Sequence, residues 1–292
     1  MFKKFLLFAI IISLFSSCTL QNHKKLRISI TNWIGYTPLF YAKEKGWLEL
    51  LDVKLLNVVS LSENMYLYKS GNSDAYVGTQ YEYNTLVKNI ESLIPILLFD
   101  KSNGGDVIMS NLSIQELQNS KTTIDAYLEM DSINSMLFED FISKYNLKNK
   151  DINYINKDQA FISELKDIEN PTIIITYAPY NSVLEKVGFK ELISTKNNLD
   201  LLVIDAMFTT KETYLENKET FIELKKLVDK SINNLEKDPK EFYETIKDYL
   251  PNTSYEEFQK SLDDIVWINK NPSSKIIEKL SNSNFPTRDI IK

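Results

Sequence analysis

Trp33 and Tyr36 share one short stretch, Thr31-Asn32-Trp33-Ile34-Gly35-Tyr36-Thr37-Pro38-Leu39. Each offers a flat apolar face with one hydrogen-bonding edge, the kind of surface that lines small-molecule clefts. Thr79 puts a hydroxyl at a strand-to-helix turn, where backbone N–H groups also point outward. Glu82 and Asp106 can accept hydrogen bonds from an amine or a ring N–H, and Ser102 adds a hydroxyl close to Asp106. Asp131-Ser132-Ile133-Asn134 opens a helix and presents N–H groups and a hydroxyl; the Asp131 carboxylate there repels an oxyanion or caps the helix. Tyr177 and Tyr180 flank Pro179, and Asp200 begins a strand. Each residue also has an ordinary role open to it. Trp33 and Tyr36 can be core, Thr79 a cap, Glu82 and Asp106 surface or capping groups, the two later tyrosines wall packing, and Asp200 structural.

These side chains need a scaffold that brings distant segments together. Leu26-Arg27-Ile28-Ser29-Ile30 alternates as a strand, and a helix is expected from Pro38 until Gly46 interrupts it. Further strands are expected at 52–59, 74–78 and 93–99, with helices at 62–68 and 83–88 between them. The alternation implies a mainly parallel sheet, whose ligand sites lie at the carboxyl ends of the strands. Asp100-Lys101-Ser102-Asn103-Gly104-Gly105-Asp106 is the strongest breaker in the chain and reads as a crossing between domains. A second α/β unit follows, with strands at 107–109, 122–128, 152–155 and 172–176 and a helix at 132–145. A strand at 199–204 is expected to return the chain to the first unit, and from Lys211 onward the pattern is helical.

Residues 1–17 are expected to lie outside this fold. Lys3 and Lys4 precede a short apolar run at 5–15, long enough for a signal sequence and too short to span a bilayer. Phe15-Ser16-Ser17-Cys18 then resembles the lipobox of bacterial lipoproteins, with Cys18 as the lipidated first residue of the mature chain; the alternative is an ordinary secretory signal with an incidental Cys. Acyl chains there would hold the protein to a membrane by about 0.8 kcal/mol per buried CH₂.

Composition removes several classes of function. With 43% apolar and 25% charged residues the chain is globular, and its 292 residues suffice for two domains. The net charge of −6, or −8 once Lys3 and Lys4 leave with the leader, argues against nucleic acid as a partner. His23 is the single His and Cys18 the single Cys, so neither a His-based triad nor a disulfide is expected. Gly104-Gly105 lacks the Lys-Ser/Thr of a phosphate loop. Arg27 lies inside a strand and Arg288 in the tail, so the bidentate Arg clamp typical of amino-acid carboxylates is not expected.

Six segments in order resemble the solute-binding proteins of ABC importers of the nitrate/sulfonate/taurine and thiamine-pyrimidine-precursor type. The opening loop with Ala42-Lys43-Glu44-Lys45-Gly46 is similar to that family's first loop and helix. Asp74-Ala75 with Thr79-Gln80-Tyr81-Glu82 resembles its Thr-x-x-Glu turn, and the 100–106 stretch its Asp-x-Ser-x-Gly-Ala-Asp crossing. Glu129-Met130-Asp131-Ser132-Ile133-Asn134 resembles its Glu-x-Gly-Ser/Thr-Val-Ser turn, with Asp131 in place of Gly. Thr176-Tyr177-Ala178-Pro179 resembles its Thr-Tyr-Glu-Pro segment, with Ala178 in place of Glu, and Leu199-Asp200-Leu201-Leu202-Val203 its return strand.

The resemblance implies an α/β, two-domain type II periplasmic binding protein fold, each lobe an open, mainly parallel sheet with flanking helices and a helical C-terminal region. Its parts would be a signal peptide (1–17), a tether (18–25), lobe I (26–101 with 200–292) and lobe II (102–199). It implies a monomeric, lipid-anchored protein of the bacterial cell envelope, outside the cytoplasm. That protein would bind a small solute, use no cofactor and deliver its cargo to a permease and ATPase. The ligand set it implies is Trp33, Tyr36, Thr79, Glu82, Ser102, Asp106, Glu129, Asp131, Ser132, Tyr177, Tyr180 and Asp200. The many carboxylates and aromatics favour an amine-bearing or N-heterocyclic solute over a sulfonate or nitrate. A sensory module reporting ligand occupancy to a membrane receptor is the alternative.

Overall fold

The computed structural model describes residues 25–166, 168–196, 202–250, 252–270, 272–283 and 285–291. The expected leader, Cys18 and the tether to residue 24, together with Asp200, lie outside the described residues.

β1 (Leu26–Ile30) forms where the period of two predicts it. Arg27 is spent inside the scaffold: its guanidinium grips Asp74 with Nε–Oδ2 at 3.0 Å and a second bond at 2.8 Å. A short 3₁₀ turn (Ile34–Tyr36) leads into α1 (Thr37–Glu44), with Pro38 in the first turn. Lys45 caps α1, and Gly46 then takes φ +71°, a left-handed backbone that Gly adopts without strain. β2 (Val53–Asn57), α2 (Leu61–Lys69), β3 (Ala75–Thr79), α3 (Gln80–Leu86) and β4 (Leu93–Ser102) complete the first pass.

The chain then crosses to β5 (Asp106–Ser110), α4 (Ile114–Asn119), β6 (Ile124–Leu128), α5 (Ile133–Lys144), β7 (Ile152–Asn156), α6 (Gln159–Ile162), β8 (Thr172–Tyr177), α7 (Tyr180–Lys186) and β9 (Lys190–Ser194). It returns as β10 (Ile204–Thr210), followed by α8 (Lys211–Glu216), α9 (Lys218–Lys237), α10 (Pro239–Ile246), α11 (Tyr255–Leu262), β11 (Ile265–Trp267) and α12 (Ser274–Asn282).

These strands make two sheets, ordered β11-β4-β10-β3-β1-β2 and β7-β6-β8-β5-β9. Both are mixed where mainly parallel sheets are expected. β1 pairs in parallel with β2 and β3, and β6 with β7 and β8, through helical crossovers. The strands that enter from the other sheet run the opposite way: β10 is antiparallel to β3 and β4, and β5 to β8 and β9. The return strand is also later than expected, at 204–210, and residues 202 and 203 precede it as coil. Asp205 interrupts the apolar run there, yet it is buried inside the strand. β9 and β11 are short strands with no counterpart in the expected pattern.

The helical carboxyl-terminal part clamps α1 from behind. Phe221, Leu224, Val228, Ile232 and Leu235 form one buried stripe on α9. Tyr41 of α1 stacks on Phe242 at 4.4 Å, and Phe40 stacks on Tyr249 at 4.3 Å. Such aromatic pairs contribute roughly 0.5–1.5 kcal/mol each beyond their area burial. They fix the helix that carries the Trp33–Tyr36 loop.

Candidate functional site

The loop after β1 is held open by Gly35. A Cβ on Gly35 would lie 1.9 Å from Asp100 Oδ2 and 2.5 Å from the Trp33 indole nitrogen. That space is used by Trp33 itself, whose Nε1–H donates to both oxygens of Asp100 at 3.2 and 3.3 Å. The indole then meets Tyr177 edge to face, with ring centroids 5.8 Å apart. One side chain thus ties the first loop to β4 of its own sheet and to β8 of the other. Tyr36 donates its hydroxyl hydrogen to Asp205 Oδ1 and packs edge to face on Phe99 at 5.8 Å.

Strand register brings the polar groups into opposition. Thr79 is the cross-strand partner of Asp205 in the first sheet, and Asp106 that of Tyr177 in the second. Between these strand ends lies a small cavity lined by Thr31, Trp33, Tyr36, Thr79, Asp106, Tyr177 and Asp205, closed by Leu61, Ile133 and Val203. It leaves about 20 Å³ for the centre of a water molecule, enough for one water. No Lys, Arg or His is in this lining. Two lining atoms, Thr31 Oγ1 and Asp106 Oδ2, are buried without a hydrogen-bond partner.

The site is acidic and dry. Glu82, Asp100, Asp106, Glu129 and Asp205 are each at most 3% exposed. Burial penalises the charged form, so each is pushed toward neutrality. Asp106 rises to about 7, through burial and then the nearby Glu82, against a hydrogen bond from Ser102 that opposes the shift. Glu129 rises to about 8, mainly by burial, with Asp158 and Glu82 adding and the Leu61 and Gln159 N–H groups opposing. Asp100 and Asp205 lie well above the usual carboxylate range: burial dominates, and each feels other carboxylates of the cluster. Glu82 is raised by burial, against hydrogen bonds from Thr79 and Ile133 that favour its charged form.

Two carboxylates cross between the lobes. Glu82 Oε1 accepts from the backbone N–H of Ile133 at 2.9 Å, at the start of α5, while Oε2 accepts from Thr79 N at 2.9 Å and from the Thr79 hydroxyl. Glu129 makes the reverse crossing. Its Oε2 accepts from Leu61 N at 3.4 Å, at the start of α2, and Oε1 from Gln159 N at 3.3 Å. Each lobe therefore places a carboxylate on a helix N-terminus of the other, where an anion is favoured.

Five of the expected ligand residues, Trp33, Tyr36, Thr79, Asp106 and Tyr177, come together around the cavity. Others stand behind it. Thr79 and Glu82 form a capping box on α3. Ser102 hydrogen-bonds Thr195 at 2.7 Å and accepts from Asp106 N at 3.1 Å, joining the two segments that connect the sheets. Ser132 caps α5, and its hydroxyl donates to the Glu129 carbonyl at 2.6 Å. Tyr180 supports Tyr177 edge to face at 5.6 Å. Asp131 is exposed, with φ +58°, a left-handed position that Asp tolerates and Gly prefers. It is not brought to the cavity, and Asp200 lies outside the described residues. Reasoning from sequence missed Thr31, Asp100 and Asp205 as site residues. A lone carboxylate between the apolar stretches 201–204 and 206–208, as at Asp205, was the available signal.

Among the described residues no group of three or more His, Cys, Asp or Glu side chains converges as a metal site, and no helix is long and apolar enough to cross a membrane. No protein-family model and no curated protein matches the sequence. Solved structures do match. One is the ligand-binding component of an ABC-type import system from Staphylococcus aureus with zinc bound, at a TM-score of 0.70 and 14% identity over 91% of this chain and 96% of that one. A second is the alkanesulfonate-binding protein SsuA from Xanthomonas axonopodis pv. citri bound to MOPS, with TM-score 0.68 and 12% identity over 92% and 98% of the two chains. A third, from Candida albicans, is described as having the generic periplasmic binding protein structural fold; it matches with TM-score 0.66 and 12% identity over 92% and 96%. The chain has the periplasmic binding protein fold.

Proposed function

We propose that this chain is an extracytoplasmic solute-binding protein that captures a small amine-bearing or N-heterocyclic cation between its lobes and passes it to an ABC importer. It acts by binding, without catalysis. Cys18 carries the lipid anchor, the lobes divide at 101/102 and 199/200, and the partners are a permease and an ATPase. The fold supports the solute-binding part, since its neighbours include components of ABC importers.

One observation carries the ligand class. Asp106 presents an unpartnered carboxylate oxygen to a cavity walled by Trp33, Tyr36 and Tyr177 and lacking any cationic side chain. Aromatic faces and a carboxylate together suit a cation with an apolar surround. An anion finds the opposite here. Two of the helix N-termini beside this space, those of α5 and α2, already receive the carboxyl groups of Glu82 and Glu129. Arg27, which could have met a carboxylate or sulfonate, is bound to Asp74.

Titration calorimetry with a pyrimidine, a polyamine, an aliphatic sulfonate and nitrate tests the reading. Binding of the polyamine with the two anions silent supports it, and binding of the uncharged pyrimidine alone overturns its cationic part. Tight binding of the sulfonate or nitrate that survives Asp106→Ala overturns it.

A further inference from the structure

We propose that a cationic solute exchanges for a proton on Asp106. The cavity has room for only one water as it stands; once the lobes part to widen it, the ligand's ammonium or charged ring nitrogen seats against Oδ2 and the carboxyl proton leaves to water, so that about one proton departs for each cation bound. This rests on the cationic reading above and adds the regulation of that site by pH.

The geometry requires a proton or its replacement. Asp106 is 3% exposed, its Oδ2 has no partner, and it lines the same cavity as the equally unpartnered Thr31 hydroxyl. The titratable groups that interact with it from the surrounding elements are Glu82 of α3, Asp100 of β4, Tyr177 of β8 and Asp205 of β10. None of them can be a cation. A buried carboxylate with such neighbours stays ionised only if a positive charge is brought to it. Burial accordingly lifts Asp106 to about 7.

The remaining carboxylates are engaged elsewhere. Asp100 accepts from Trp33, Asp205 from Tyr36, Glu82 from Thr79 and Ile133, and Glu129 from Leu61 and Gln159. Asp106 Oδ2 is therefore the oxygen placed to receive a ligand N–H. Below about pH 7 the incoming cation must first displace a proton, and affinity falls by about tenfold for each pH unit of acidification. Above it the carboxylate is already charged and affinity levels off.

The test uses cations that carry N–H groups and keep their charge over this range, namely methylammonium, methylguanidinium and putrescine, with the mature protein. Calorimetry over pH 5–8 reads affinity, and an indicator dye in weakly buffered solution at about pH 6 counts protons. The expected result is a binding cation that releases close to one proton. Its affinity should rise about tenfold per pH unit up to about pH 7, and Asp106→Asn should abolish both effects. If that variant does not fold, the wild-type count still decides whether a proton is exchanged, and its persistence in Glu129→Gln excludes the other carboxyl raised into this range. A cation that binds without proton release overturns the exchange and leaves the cationic reading standing. Failure of all the probes to bind across the range overturns both.

Discussion

The carboxylate of Glu82 reaches from one lobe to the backbone N–H of Ile133 in the other, 2.9 Å away, and the same carboxylate caps its own helix at Thr79. Glu129 answers from the opposite side with Leu61. These are hydrogen bonds from helix N-termini to carboxyl groups that burial pushes toward neutrality, each worth roughly 0.5–1.5 kcal/mol in the neutral form. They hold the lobes together around Trp33 and Tyr177.

Removing that crossing should open the molecule. Glu82→Ala loses the bond to Ile133 and the cap on α3, at a cost of about 1–3 kcal/mol. A melting temperature lower by a few degrees and a larger radius of gyration in solution scattering are expected. An unchanged radius for Glu82→Ala would show that the crossing does not set lobe closure.

Trp33 should report the ligand. Its indole lines the cavity and is fixed by Asp100 and Tyr177. Trp33→Phe keeps an aromatic ring but leaves the Asp100 carboxyl without its donor, so solute affinity should drop by about tenfold or more, the size of one lost buried hydrogen bond. Tryptophan emission should change on ligand addition in the wild type and in the variants of Trp47 and Trp267, and not in Trp33→Phe.

Gly35 tolerates no side chain while this loop keeps its shape. In Gly35→Ala the new methyl would meet Asp100 Oδ2 at 1.9 Å. Either Asp100 moves and the Trp33 bond breaks, or the loop shifts. The expected loss is about 1–3 kcal/mol of stability together with weakened ligand binding, read by thermal unfolding and calorimetry.

The ligand-free protein should be most stable in mild acid. Asp106 and Glu129 have folded values of about 7 and about 8, above the roughly 4 of an unfolded carboxyl. The folded state therefore binds more protons, and its advantage is complete below about pH 4 and lost as pH rises through about 7 to 8. Melting temperature should fall between about pH 5 and pH 8, and Asp106→Asn should flatten that slope. A melting temperature that rises over this range would contradict the burial of protonated carboxyls.

The opening loop was legible because Leu26–Ile30 alternates cleanly and Pro38 marks a helix start. The Thr79-x-x-Glu82 spacing likewise announced a turn, and it is a capping box. The second duty of Glu82 was not legible, since its bond to Ile133, 51 residues away in sequence, depends on how the two lobes come to face each other. Asp205 escaped for a related reason. The return strand is expected at 199–204, ahead of Asp205, and lies at 204–210 with Asp205 inside it. Only the antiparallel register opposite Thr79 reveals it as a wall of the site. The left-handed φ of Asp131 explains how Asp can stand where the resembling family has Gly, while keeping its carboxylate out of the cavity.

The most direct measurement of the central claim is mass spectrometry of the solute released by denaturing the mature protein purified from its native host. A small molecule bearing a protonatable nitrogen, present at close to one per protein and lost in Asp106→Asn, is the predicted result. A sulfonate, nitrate or other anion released at that stoichiometry would contradict it.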